Sequence, residues 1–325
     1  MMVAKRKMVF SYFIIIVLKT IPVVSAFEGS SAAGLSPYSS DNATSDTRNP
    51  EITVDSNLAE FLYPYALTSL LAYSYKLEHS NPQRSQWNIV RLEHQQLKPL
   101  TASDLLTTEA ETHFNQKTGR FEGRSSGLQA RGLIHTPTDT LILGFAGTVF
   151  EANYRSLVTM TASFQISQNY EPEILHEAAY LCKSLNESRR FKRIVLTGSS
   201  LGGAIAQYAS LACGSQAIVF NTLTLPEKLR LKAVLSRSQM DRAPAHRILK
   251  EHEKTLIVSK VQGESLNTLN SWSHYFLQSS LPKGVAVFVI PSANPTSSPI
   301  SRHWAPAIVH ALEKQAGYYF ESSDL

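Results

Sequence analysis

Cysteine is almost absent from this sequence, with only Cys182 and Cys213 among 325 residues. Two cysteines cannot staple a small disulfide scaffold. Both fall in expected helices, and their spacing leaves open whether they pair or stay as two buried thiols. No group of Cys, His, Asp and Glu has metal-ligand spacing; His246 and His252 are six apart and lack a third candidate nearby. Charge is also scarce, at 18% of residues against 43% hydrophobic. That balance suits a globular chain with enough apolar surface for one large domain or two small ones. No internal repeat is visible.

Acidic residues are missing altogether from the first 26 positions, which carry Lys5, Arg6, Lys7 and Lys19. A basic cluster, an apolar run from Met8 to Leu18 and the small residues Val24-Ser25-Ala26 follow in the order of a secretory signal peptide. The run is short for a permanent span, which needs roughly 20 apolar residues; an uncleaved N-terminal anchor is the alternative. Without these residues the formal charge of +5 falls to +1. The remainder has no nucleic-acid footprint, so neither DNA nor RNA is expected as a partner.

Residues 27–57, rich in Ser, Asn, Asp, Thr, Gly and Pro, read as a tether unable to bury enough surface to fold. Asn42 and Asn186 fit the glycosylation acceptor pattern, which matters only in a eukaryotic secretory pathway. A single catalytic domain is expected over 58–325. Its periodicity predicts a helix over Leu58–Leu77 with Pro64 in its first turn or kinking it, a strand over Trp87–Leu92, and strands over Leu128–His135 and Thr140–Phe145. A helix over Glu173–Leu185 precedes alternation: strand Phe191–Thr197, helix Leu201–Ala212, strand Gln216–Asn221. Basic, helical residues fill Pro226–Lys254. Strands over Thr255–Val261 and Val285–Ile290 and a helix over His303–Gln315 complete the pattern. Alternation of this kind predicts an α/β fold with a mostly parallel central sheet and helices on both faces.

The most informative segment is Ile194-Val195-Leu196-Thr197-Gly198-Ser199-Ser200-Leu201-Gly202-Gly203-Ala204. It contains G-x-S-x-G between an apolar strand and a helix, the setting of a nucleophile elbow. Register selects Ser200, because for Ser199 the crowded positions two before and two after would be Thr197 and Leu201 rather than glycines. The backbone N–H of Leu201 would then be one oxyanion donor, at the amino end of the outgoing helix.

Leu196 to Gln207 resembles the nucleophile segment of the class 3 lipases and their bacterial relatives, with Ser199 where that family has His. Leu141-Ile142-Leu143-Gly144-Phe145-Ala146-Gly147-Thr148 is similar to the family's upstream oxyanion segment, with Ala146 in place of Arg. The similarity covers roughly residues 58–315. It implies an α/β-hydrolase fold, ester cleavage through an acyl-enzyme, no metal or cofactor, and Thr148 as a second oxyanion donor.

In this fold the acid and then the histidine follow the serine along the chain. Glu264 is the best-placed acid, a short Gly-containing turn beyond the strand ending at Val261, and Val261-Gln262-Gly263-Glu264 resembles the family's acid segment with Glu for Asp. Asp241 is the fallback acid, and a merely solvated Glu264 the alternative. His303, between the last strand and the last helix, is the expected base; His274 and His310 are the other candidates. Residues 154–164 follow the oxyanion segment, where related lipases carry a lid, and a core helix is the equal alternative.

The expected function is an exported (secreted or periplasmic) serine esterase of the lipase or phospholipase A type, with peripheral contact to a lipid surface. An acyltransferase, an amide or polymer-ester hydrolase on the same site, or an inactive envelope-binding module are the rivals. Oligomeric state stays open.

Overall fold

The computed structural model describes residues 49–73, 82–105, 113–123, 125–148, 154–237, 242–264, 281–282 and 285–320. The export signal expected over 1–26 lies outside them. Among the described residues, no helix is long and apolar enough to cross a membrane.

Among the described residues, the centre of the fold is a ten-stranded sheet in the order β1-β10-β9-β8-β7-β6-β5-β4-β3, with β2 paired to β5. The strands are β1 (Glu51–Thr53), β2 (Leu97–Pro99), β3 (Phe114–Asn115), β4 (Arg120–Glu122), β5 (Gln129–His135), β6 (Thr140–Phe145), β7 (Arg193–Ser200), β8 (Gln216–Thr222), β9 (Ile257–Val261) and β10 (Val287–Ile290). All pairings from β6 through β7, β8, β9 and β10 to β1 are parallel. The antiparallel wing of β2–β5 joins at β6. The helices are α1 (Ser56–Tyr73), α2 (Pro82–His94), α3 (Tyr154–Ser167), α4 (Glu173–Glu187), α5 (Leu201–Cys213), α6 (Glu227–Arg237), α7 (Arg242–Glu253), α8 (Pro299–His303) and α9 (Ala305–Ala316).

Strand sequences that are apolar at every position have two faces to cover. Leu141 and Leu143 of β6, Ile194 and Leu196 of β7, and Ala217 and Val219 of β8 pack into one core with α4, α5 and α6. The alternate residues Ile142, Val195, Ile218 and Phe220 pack into a second core with α1 and α9. Each fully buried Leu or Phe contributes about 1.5–3 kcal/mol relative to exposure. Period-two alternation inside a continuous apolar run thus gives each layer its share, and the architecture is an α/β fold with a mostly parallel central sheet and helices on both faces. Helix α5 is buried at every residue from Leu201 to Ala212, as a helix apolar on all sides must be.

Three expectations change. Order begins before residue 58: β1 pairs with β10, and Asp55 accepts the Leu58 N–H at 2.8 Å to cap α1. Residues 27–48 of the expected tether lie outside the described residues. The strand expected over Trp87–Leu92 is part of α2. Its β-branched Ile89 and Val90 point outward, while Arg91 is buried and bonds Glu313 of α9 at 2.7 Å. That buried ion pair, with Tyr63 donating to the same carboxylate at 2.6 Å, ties α2 to α9 and α1. Finally, Pro64 sits deep inside α1 rather than in its first turn, where its carbonyl accepts the Thr68 hydroxyl at 2.7 Å.

Cys182 of α4 and Cys213 of α5 form a disulfide, closing the question their spacing left open. Beside it, Asn186 is half-buried and donates to the Cys213 carbonyl and the Ser215 hydroxyl at 3.3 and 3.0 Å. This amide is built into the α4–α5 contact and is a poor glycan acceptor.

Candidate active site

Ser200 ends β7 and caps α5 with φ 57° and ψ −128°, a region that side chains other than glycine rarely occupy. Such strain costs about 1–3 kcal/mol and survives only where the surroundings enforce it. Here β7 runs straight into α5, and the crossing leaves no room for side chains two residues to either side. A methyl group on Gly198 would collide with the Gly202 carbonyl, and one on Gly202 with the Phe145 carbonyl. The register that singled out Ser200 thus has a steric basis in the fold.

The elbow is buttressed from below by a residue that the sequence did not single out. Tyr73, at the end of α1, donates its hydroxyl to the Ser199 carbonyl at 3.0 Å and lies 3.1 Å from Ser199 Oγ. Gly147 packs against the phenol oxygen, which a methyl group added to it would strike. Burial holds the Tyr73 phenol above its ordinary pKa, so it stays protonated. In sequence Tyr73 looked only like part of an apolar helix stripe.

The segment Phe145-Ala146-Gly147-Thr148 lies against this arrangement. A side chain on Gly147 would meet the Ser199 carbonyl at 2.7 Å and Ser200 Cβ at 3.3 Å, so glycine is what lets the two backbones approach. The Ala146 N–H is already bonded to the Gln129 carbonyl at 3.0 Å. Thr148 follows, half-buried, its hydroxyl 3.1 Å from Ser163 Oγ of α3. Leu201 is the first residue of α5 and fully packed.

Glu264 and His303 are brought together. Nδ1 of His303 is 2.8 Å from Glu264 Oε2; the carboxylate is fully buried, while the imidazole keeps 19% of its surface exposed. Glu264 follows β9 by a turn in which Gly263 adopts φ 72°, and His303 is the last residue of the short helix α8. Both therefore sit beyond the carboxyl ends of parallel strands, the end at which Ser200 leaves β7. Among the described residues, the Ser200 hydroxyl makes no hydrogen bond.

Of the other candidates, His310 is on the exposed side of α9 and 3.9 Å from Glu313. His274 and Asp241 lie outside the described residues. A cavity of about 640 Å³, lined by Arg193, Arg237, Arg247 and His252 among others, is at the amino ends of β7 and β8, the opposite end of the sheet. Most of the basic residues of Pro226–Lys254 lie in α6 and α7, and Arg237 of the first and Arg247 of the second line that cavity. Among the described residues, no cluster of His, Cys, Asp or Glu could hold a metal ion.

Helix α3 has two unlike faces. Ser156, Thr159, Ala162 and Ile166 are buried, whereas Tyr154, Leu157 and Phe164 stand exposed at 68%, 54% and 66%. Ile300 and Trp304, either side of His303, are exposed as well.

No protein-family profile matches this chain, and no curated sequence matches it. Among solved structures it is similar to lipase II from Rhizopus niveus, at 11% identity over 69% of this chain and 78% of that one, with a TM-score of 0.41. A lipase of Yarrowia lipolytica is 10% identical over 78% and 86% of the two chains, TM-score 0.37. A lipase from Rhizopus microsporus var. chinensis is 13% identical over 66% and 69%, TM-score 0.34.

Proposed function

We propose that this protein is an exported serine hydrolase that cleaves carboxylic esters of lipid type. The observation that carries the reading is the 2.8 Å bond between His303 Nδ1 and a fully buried Glu264 carboxylate, at the strand ends where Ser200 occupies its strained elbow.

The chemistry follows from these groups. A buried carboxylate bonded to Nδ1 fixes the imidazole tautomer with its proton on Nδ1, leaving the lone pair on Nε2. Nε2 of His303 takes the Ser200 proton as Oγ attacks the ester carbonyl. Negative charge then develops on the carbonyl oxygen, where the N–H groups of Leu201 and Thr148 are its donors. Collapse of the tetrahedral species expels the alcohol, which receives the proton from His303, and leaves Ser200 acylated. Water, activated by the same imidazole, releases the acid.

Two further features support the finer parts of this reading. The exposed Leu157 and Phe164 on α3, and Ile300 and Trp304 beside His303, offer apolar surface to an acyl chain or a lipid surface. The Cys182–Cys213 disulfide suits an oxidising compartment, in agreement with the export signal read from residues 1–26.

Labelling with a fluorophosphonate probe, with the modified residue mapped by mass spectrometry, tests the reading. Attachment at Ser200 that is lost in Ser200→Ala and His303→Ala is the expected result. A folded wild-type protein that resists the probe with and without lipid would instead favour a binding module on this scaffold.

A further inference from the structure

Asn221 joins two parts of the candidate site through one short side chain, on a strand that pairs with the third. It lies near the carboxyl end of β8, the strand between β7, which delivers Ser200, and β9, which leads to Glu264. It is 2% exposed, and its φ of 40° lies in the left-handed region that Asn tolerates better than most residues. Its Oδ1 accepts the Val261 N–H at 2.8 Å, at the base of the turn that carries Glu264. Its Nδ2 donates to the carbonyls of Arg302 and His303 at 3.1 and 3.2 Å. On the other side, Thr222 is in register with Ser200, and the Leu223 N–H donates to the Ser200 carbonyl at 3.0 Å.

We propose that Asn221 is a positioning residue for the reaction: its amide sets the placement of the His303 imidazole relative to Ser200 while holding the turn that presents Glu264. The inference rests on the serine-hydrolase reading above. The Glu264 carboxylate fixes how the imidazole is turned about Nδ1, but not how far the ring stands from Ser200. That distance depends on where the His303 backbone is anchored, and Asn221 anchors it to the strand beside the nucleophile. The position demands both a donor and an acceptor on a short side chain. Asp would set an acceptor against the carbonyls of Arg302 and His303. Gly would accept the backbone angle but make none of the three bonds. Displacing a catalytic group by about 1 Å costs on the order of a hundredfold in rate.

The test compares the full chain with Asn221→Gly and Asn221→Asp, reading both the stoichiometry and the rate of fluorophosphonate attachment at Ser200. The expected result is labelling of every molecule in all three, but about a hundredfold more slowly in both variants, with a matching fall in kcat and little change in KM on a soluble ester. The Asp variant keeps the acceptor for Val261 and loses only the donor toward residues 302 and 303, so it isolates the histidine arm. If either variant labels fewer molecules but each at the wild-type rate, the role is structural and the proposal is overturned. Labelling of both at the wild-type rate also overturns it, while leaving the hydrolase reading intact. Failure of the wild type to label overturns the hydrolase reading and this inference with it.

Discussion

The hydroxyl of Tyr73 donates to the Ser199 carbonyl at 3.0 Å, tying the end of α1 to the residue immediately before the candidate nucleophile. Since that carbonyl takes the phenol proton, the Ser199 hydroxyl, 3.1 Å away, donates back. Gly147 packs against the same phenol oxygen. One buried oxygen therefore ties α1 to the end of β7 and lies against the segment that leads to Thr148. Tyr73→Phe keeps the ring and removes these bonds. We expect a stability loss of about 1 kcal/mol and a fall in kcat of roughly tenfold, equivalent to about 1.4 kcal/mol of barrier. Thermal unfolding beside ester kinetics would check both; unchanged kcat would show that Gly147 and Thr148 hold their places without the phenol.

The order in which these parts become legible has a physical cause. The elbow could be read from sequence because two glycines at fixed offsets from Ser200 answer a local steric demand. Glu264 and His303 could be put forward because chain order and strand ends restrict where an acid and a base can sit. Tyr73 and Asn221 carried no such local mark, since their roles consist of contacts 126 and 81–82 residues away along the chain. The same holds for α2, whose buried Arg91 meets Glu313 from 222 residues away. The short antiparallel strands β2, β3 and β4 were missed because two- and three-residue strands are too brief for periodicity to register.

The disulfide closes a loop of 31 residues between α4 and α5. Chain-entropy arguments put its contribution at about 3–4 kcal/mol, chiefly by restricting the unfolded chain. Cys182→Ser with Cys213→Ser should lower the midpoint of thermal unfolding by about 10 °C for a domain of this size. Labelling at Ser200 in the folded fraction should persist, because the bond is at the far end of α5 from the elbow. Calorimetry of the oxidised protein, the reduced protein and the double variant distinguishes the cases. A midpoint that does not move would mean that α4–α5 packing alone secures the contact.

Acid should weaken the fold through His252. Burial, with Arg237 nearby, lowers its pKa from the ordinary 6.5 to about 4. The folded state thus disfavours the proton, and between those values the unfolded chain binds more protons than the folded one. The associated stability is fully present above pH 6.5 and drains away as pH falls toward 4, by roughly 2–3 kcal/mol. His252→Gln keeps a polar tip for the Ser210 hydroxyl, which is 3.1 Å from Nε2, and cannot titrate. Denaturant unfolding at pH 7 and pH 4 should show a smaller loss in this variant than in the wild type. Equal losses would assign the acid sensitivity to carboxylates instead.

On the hydrolase reading, the outward face of α3 would bear on which esters are taken. Leu157 and Phe164 are seven residues apart, two helical turns, so they share one face, and both are more than half exposed. Their inward neighbours Thr159 and Ala162 are buried, which separates the face that holds the helix in place from the face offered outward. Placing one such side chain in an apolar phase is worth up to about 1.5–3 kcal/mol. Leu157→Ser with Phe164→Ser should therefore reduce turnover of emulsified long-chain esters by tenfold or more. Hydrolysis of a dissolved short-chain ester, which needs no surface, should change far less. Paired assays on the two substrate forms read this directly. An equal loss on both would place α3 in the support of Thr148, through the Ser163 hydroxyl 3.1 Å from it, and not at a lipid surface.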